Sequence, residues 1–342
     1  MVTSATATID PGLTRPPRRS AMLTGLIQRQ GALLALLVLV VFGVSRYGEN
    51  FYGSYNLWSF LKNNSYFGLI ALGMAFVIMT GGIDLSVGSV VALGAVVAAR
   101  VSPQGLWPAL AAAMTVGLGI GLLNGGLIAG FRIQPFIVTL ATLLAARGLA
   151  LTVADNATVA VDRDAGFGVL GQATWGPVPY PVVIVAAAYG LGSVLLNFTR
   201  FGRHVLALGG NEEAARLAGL PVARITLAVY ALSGAAAGLA GAILAALARS
   251  GSPTGALGWE LSAIAAVVVG GTLLTGGLGS VGTTLVGVLL IGLVFNILNF
   301  ERGRGIFELN VYWENVIRGL FLLVVVVLQN RLARRLTPGA TV

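Results

Sequence analysis

Leu261–Phe300 reads LSAIAAVVVGGTLLTGGLGSVGTTLVGVLLIGLVFNILNF, 40 residues without one Asp, Glu, Lys or Arg. As a single helix it would run about 60 Å, roughly twice the hydrocarbon thickness of a bilayer. It must therefore form two spans, and the turn-prone Gly276-Gly277-Leu278-Gly279 marks where the chain folds back. The rest of the chain has the same character: of 342 residues, 56% are hydrophobic and 10% charged, with mean hydropathy +0.89. That leaves too little polar side chain to cover a globule in water, so apolar surface must face lipid. The 48 glycines lie inside apolar runs without a three-residue period, which excludes collagen and predicts helices in close contact. The fold class is all-α, a polytopic integral membrane helical bundle.

A span needs about 20 apolar residues, and charge-free stretches place about ten transmembrane helices. They fall near 27–45, 65–81, 85–100, 106–131, 135–154, 181–198, 225–248, 261–276, 281–299 and 312–329. An even number puts both termini on one side. Segments assigned inside hold twelve Arg against Asp10, Glu212 and Glu213, whereas outside segments hold seven bases against eight acids. By the positive-inside rule both termini are cytoplasmic. Residues 1–26 then form a polar, basic, disordered cytoplasmic arm, 27–330 the transmembrane domain and 331–342 a short basic cytoplasmic tail. The stretch after Val44 has no small-x-small cleavage pattern, so the first apolar segment reads as an uncleaved span rather than a signal peptide.

Several chemistries are excluded. There is no Cys and only His204, which leaves no thiol nucleophile, no iron–sulfur cluster and no imidazole pair for zinc or haem. The one lysine, Lys62, sits in Phe60-Leu61-Lys62-Asn63-Asn64 and cannot belong to a P-loop. No Gly-x-Ser-x-Gly elbow or hydrolytic triad is apparent. The chain is not an enzyme and binds no cofactor or metal of its own. Uphill transport would require a separate ATPase or a coupling ion.

Four constellations remain. Gly81-Gly82-Ile83-Asp84-Leu85-Ser86-Val87-Gly88-Ser89 places an acid and two hydroxyls between short apolar segments and predicts a discontinuous helix. Two readings stand: Asp84 and Ser86 line a polar path, or Asp84 caps the following helix by accepting from the amide of Ser86 or Val87. In the polar stretch Thr199–Arg224, Asn211 caps a short helix, Glu212 and Glu213 suit its positive end, and Gly219 with Pro221 stops it. Such punctuation favours a docking element. Polar residues within spans include Asn124, Thr139, Thr142, Arg147, Glu260, Asn296 and Asn299. Asn124 reads as interhelical glue, and Arg147 and Arg318 as snorkelling or lipid-binding. Asn63, Asn64, Tyr66, Phe136, Asn296 and Asn299 offer the amides and aromatic faces that recognise a polyol. Finally, Gly117, Gly121 and Gly125, then Gly126 and Gly130, then Gly234 and Gly238, recur every four residues as packing faces. Gly81-Gly82 through Gly88-Ser89 is echoed weakly by Gly270-Gly271 through Gly279-Ser280, which hints at an internal duplication.

The GGIDLSVGS signature at Gly81–Ser89 resembles the permease subunits of bacterial carbohydrate-uptake ABC transporters, the ribose, xylose and galactofuranose group. The resemblance extends through Gln134–Leu140, the loop at Gly209-Gly210-Asn211 and Glu260–Thr272, and covers roughly residues 64–329. Asn64–Gly68 and Gly270–Gly279 look most like a galactofuranose-importer permease, and Glu212-Glu213-Ala214-Ala215 more like the ribose type. The family implies a multi-pass subunit of the bacterial inner membrane, paired with itself or a sister permease. It docks on a cytoplasmic ATPase that binds the ATP, and an extracytoplasmic sugar-binding protein feeds it. The chain would form half of a monosaccharide path, with Asn64, Asp84, Ser86, Phe136, Glu260 and Asn296 along it. ATPase coupling transfers to Asn211, Glu212, Glu213, Ala214, Ala215 and Gly219. The rival reading is an ion-coupled secondary sugar transporter using Asp84 or Glu260, and a third is a channel or structural membrane protein.

Overall fold

The computed structural model describes the backbone of residues 18–301 and side chains from Gly31 onward. Beyond residue 301 it describes only Trp313, Val316, Ile317, Gly319, Leu320, Leu323 and Val327, all helical. Residues 1–17 of the expected arm, the tail at 331–342 and most of the span expected at 312–329 lie outside the described residues. Within them the helices are α1 (Arg18–Tyr47), α2 (Glu49–Tyr52), α3 (Ser54–Met79), α4 (Val87–Val101), α5 (Leu106–Phe131), α6 (Pro135–Val153), α7 (Val169–Gln172), α8 (Tyr180–Phe198), α9 (Arg200–Gly210), α10 (Glu212–Leu217), α11 (Val222–Ala248), α12 (Trp259–Val269) and α13 (Val281–Glu301). Among these, α3, α4 with the 3-10 turn that follows it, α5, α6, α8, α11 and α13 are long and apolar enough to cross a membrane. The apolar part of α1 and α12 are shorter. The protein is a polytopic helical membrane bundle, and nine of the expected spans coincide with one of these nine helices.

Two boundaries differ from expectation for physical reasons. The helix expected at 65–81 begins at Ser54, because Lys62 did not end it: the half-buried lysine rides within α3 near that helix's start. The span expected at 261–276 ends at Val269, leaving α12 only 11 residues, about half a bilayer crossing. Gly271, with φ +90°, closes α12 by donating to the carbonyl of Val268, while the amide of Thr272 donates to Val267. The end of α3 has the same cap. Gly81, with φ +82°, donates to Ile78, and Gly82 donates to Val77. Both are left-handed glycine caps of the Schellman type. The weak sequence echo between the two regions is therefore an echo of structure.

The core lies where α3, α4 and α11 meet. From Gly68 to Met79 every residue of α3 is buried, and α4 is buried on nearly all sides. By contrast α5, α6 and α8 leave much of their surface open, with Leu123, Phe131, Leu144, Leu191 and Phe198 exposed as lipid-facing residues are. α5 and α11 approach backbone to backbone. A Cβ on Gly117 would lie 2.2 Å from the carbonyl oxygen of Gly234, and one on Gly121 2.2 Å from that of Tyr230. Those glycines pack as the spacing predicts, whereas a Cβ on Gly126 or Gly130 of the same helix would meet nothing among the described residues.

The two ends of the bundle are built differently. At one, residues 159–160 pair antiparallel with 250–251, a two-residue hairpin joins 174–175 to 178–179, and α7 packs its Gly171 on the end of α11. At the other lie the α3–α4 and α5–α6 turns with α9 and α10.

Candidate functional site

The break between α3 and α4 carries a buried polar cluster. Asp84 is 1% exposed, and its Oδ1 accepts from the Ser86 amide at 3.0 Å and the Ser86 hydroxyl at 2.6 Å. Its Oδ2 accepts from the Ser233 hydroxyl of α11 at 2.9 Å. Asn124 of α5 donates from Nδ2 to Ser86 Oγ at 3.0 Å. The carbonyl of Ile83 accepts from Thr139 of α6 at 3.3 Å and from Tyr230 of α11 at 3.4 Å. All three donors to Asp84 are neutral, so the carboxylate is stabilised by hydrogen bonds rather than by a cation. One seven-residue break, Thr80–Ser86, thereby holds α4, α5, α6 and α11 together. Asn124 is the interhelical glue read from the sequence.

Near the start of α3, a cavity of about 600 Å3 opens between α3, α12 and α13. Its polar lining is Asn56, Ser59, Asn63, Asn64, Ser262, Asn296 and Asn299, with Tyr66 and Trp259 among its apolar walls. The Tyr66 and Trp259 rings stack with centroids 5.1 Å apart and planes 11° from parallel. Asn56 and Asn296 pair through their amides at 3.2 and 3.5 Å. Asn64 donates to the carbonyl of Phe60 at 2.8 Å, and Gly292 leaves room for it: a Cβ there would lie 2.1 Å from Asn64 Oδ1. Among the described residues, no Asp, Glu, His, Lys or Arg lines this cavity. Amide and hydroxyl groups beside an aromatic plane suit a neutral hydroxylated ligand, and among the described walls they give a charged ligand hydrogen bonds but no counter-charge.

At the far end, Asn211 Oδ1 accepts from the amide of Ala214 at 2.9 Å and so caps α10. Glu212 and Glu213 occupy its first turn, and Glu212 bridges to Arg216 at 2.6 Å. Gly219, with φ +79°, ends the element, and the helix is exposed apart from Ala215. Behind it lies a larger cavity of about 1030 Å3, whose lining includes Thr80, Gly81, Gly82, Arg132, Glu212, Arg216, Arg224 and Tyr230.

Of the residues expected along a path, Asn64 and Asn296 line the first cavity together with Asn63, Tyr66 and Asn299. Asp84, Ser86, Phe136 and Glu260 line neither cavity. Phe136 is 52% exposed on the outer surface of α6. The Glu260 carboxylate lies over Gly88, where a Cβ would be 2.3 Å from its Oε2. Arg147, expected to snorkel, instead donates from Nη1 to the carbonyls of Pro253 and Gly255 at 2.6 and 2.8 Å, near the Glu260 charge. Sequence reasoning missed Asn56, Ser59, Trp259, Ser262 and Ser233. Of these, Asn56 and Ser59 share a helical face with Asn63, a spacing that could have found them.

A family model described as branched-chain amino acid transport system / permease component matches residues 56–326. The ribose import permease protein of Bacillus subtilis is 39% identical over 310 residues, 90% of this chain and 94% of that protein. The ribose import permease protein of Escherichia coli K12 is 39% identical over 310 residues, 89% of this chain and 94% of its own length. The L-arabinose transport system permease protein of E. coli K12 is 37% identical over 311 residues, covering 90% and 93%. No solved structure matches.

Proposed function

Since this chain belongs to the permease-component family of branched-chain amino acid transport systems, we propose that it is the membrane subunit of an ATP-driven importer and that its cargo is a monosaccharide. The observation that carries the cargo class is the cavity whose described walls hold no charged side chain. An amino acid presents an ammonium and a carboxylate, each of which would be desolvated beside asparagines and serines without a counter-charge. A sugar presents only hydroxyls and an apolar ring face, which suit Asn64, Asn296 and the Tyr66–Trp259 pair. The names of the ribose and arabinose relatives point the same way. Among sugars we favour a ribose-like pentose, with galactofuranose as the alternative suggested by Asn64–Gly68.

In this reading the end carrying α10 and both chain termini are cytoplasmic, in the inner membrane of a bacterium. Residues 1–26 and 331–342 are short basic extensions of the transmembrane domain. Asn211, Glu212, Glu213, Ala214 and Gly219 form the surface that docks a separate ATPase, with the buried Ala215 seating the helix on the bundle, and that ATPase binds the ATP. An extracytoplasmic binding protein delivers sugar to the first cavity. The subunit supplies half of the path, and a second permease completes it against the exposed side of α6 that carries Phe136. Asp84 and Ser86 brace the turn beside the inner cavity, and Glu260 seats α12 against α4.

Radiolabelled uptake in sealed vesicles tests this, with ribose, arabinose, galactofuranose and leucine offered to the permease alone and then with ATPase, binding protein and sister permease. Uptake of one sugar that needs ATP and the added partners is expected. Leucine uptake, or sugar uptake by the permease alone that stops when ion gradients collapse, would overturn it.

A further inference from the structure

Three glycine pairs from distant parts of the chain cross at one point beside α10. The amide of Gly277, in the turn between α12 and α13, donates to the carbonyl of Met79 at the end of α3, at 3.0 Å. A Cβ on Gly209, at the end of α9, would lie 1.9 Å from that same carbonyl oxygen and 2.5 Å from the Gly277 amide nitrogen. A Cβ on Gly276 would lie 2.7 Å from the amide nitrogen of Gly81, and one on Gly277 2.9 Å from the Cα of Gly210. Gly81, Gly276 and Gly277 also hold φ of +82°, +84° and +78°, which L side chains rarely adopt. No side chain separates the three backbones, so none can move far without displacing the others.

The position gives the contact meaning. Gly210 directly precedes Asn211, the cap of the docking helix. Gly81 and Gly82 begin the turn that holds Asp84, and with Thr80 and Leu208 they line the inner cavity alongside Glu212 and Arg216 of α10. The turn at Gly276-Gly277 follows the second helix break, the structural echo of the first. We propose that the crossing of Gly81, Gly209-Gly210 and Gly276-Gly277 is a rigid joint through which α10 moves both helix breaks as one body. Displacement of α10 by the ATPase thus reaches the inner cavity wall and the floor of α12 and α13 together. This rests on the docking role of α10 proposed above, and the glycines act as positioning residues without touching cargo.

The chain has no cysteine, so introduced thiols report only on the joint. Gly210→Cys with Leu278→Cys, in the permease alone, should cross-link rapidly with a short bifunctional thiol reagent; no cross-link would overturn the joint even if transport could not be reconstituted. In the reconstituted importer the cross-linked form should still transport. Loss of uptake on cross-linking, restored by reduction, would show that the strands slide past one another and would overturn the rigid body. Gly277→Ala should raise ATP hydrolysed per sugar by about tenfold, within the usual range of coupling between two sites. The ratio is measured per folded permease, since the strained alanine at φ +78° lowers abundance, and ATPase co-purification per folded permease should be unchanged. Gly210→Ala, whose Cβ meets nothing, should leave the ratio alone. An unchanged ratio in Gly277→Ala, or loss of ATPase co-purification in place of coupling, would refute the joint. Failure of wild-type permease to show any ATP-dependent uptake would refute the transport reading instead.

Discussion

Asp84 is a buried carboxylate whose three hydrogen-bond donors come from two serines, the local Ser86 and Ser233 on α11, 149 positions further along. Each bond to a charged acceptor is worth about 1.5–3 kcal/mol when its partner is removed. Ser233→Ala should therefore destabilise the folded permease by about that amount, read as a lower unfolding temperature in detergent. Asp84→Asn keeps the volume and replaces one acceptor oxygen with a donor that faces the Ser233 hydroxyl. Its uptake should fall much further than its abundance in the membrane, because the turn it braces also lines the inner cavity. Equal losses of uptake and abundance would assign Asp84 to folding alone. The sequence showed an acid and two hydroxyls at a probable break in a helix, and with them both readings of Asp84. It did not show Ser233, since a serine inside the Gly- and Ala-rich α11 carries no local mark of its partner.

At the scale of elements, a short helix with strong ends is a better test than a long one with many contacts. α10 has six residues, and its start depends on Asn211 accepting from Ala214. Asn211→Ala should destabilise it by about 1 kcal/mol, while Asn211→Ser or Asn211→Asp should preserve it. ATPase co-purification should weaken in the alanine variant only, with the unfolding temperature of the bundle unchanged. Glu212→Arg with Glu213→Arg places two positive charges at the positive end of the helix and removes the bridge to Arg216. That variant should lose ATPase docking while remaining folded, and normal co-purification would remove the docking role. α10 was legible because caps and stops are local. So were nine spans, because charge is excluded from lipid over a whole window. The outer turns of α3 were not legible, since a lysine near a helix end can snorkel, and α12 read too long because apolar composition continues past the glycine cap at Gly271.

For the whole molecule, the function proposed above assigns recognition to one end of the bundle and power to the other. Among the described residues, the cavity that would receive cargo has neutral walls, and the charged residues Arg132, Glu212, Arg216 and Arg224 gather at the cavity behind the docking helix. That separation arises from tertiary packing: Asn64 on α3 shares the cavity with Trp259 on α12 and Asn296 on α13, and Gly292 leaves room for the Asn64 amide. No window of sequence contains all three. A neutral site predicts that cargo recognition is insensitive to proton concentration. Between about pH 5.5 and pH 8, where histidine changes charge and carboxylates do not, the sugar preference of the reconstituted importer should stay constant. Its maximal rate follows the ATPase as well, so the measurement is the ratio of uptake of two sugars supplied together. Asn296→Leu should shift that ratio and lower uptake, because it removes the partner of Asn56 and one acceptor from the wall, without altering ATPase co-purification at the other end. A ratio that moves with pH in the wild type would place an ionisable group in the recognition path, and Glu260 beside Arg147 would be the first to replace.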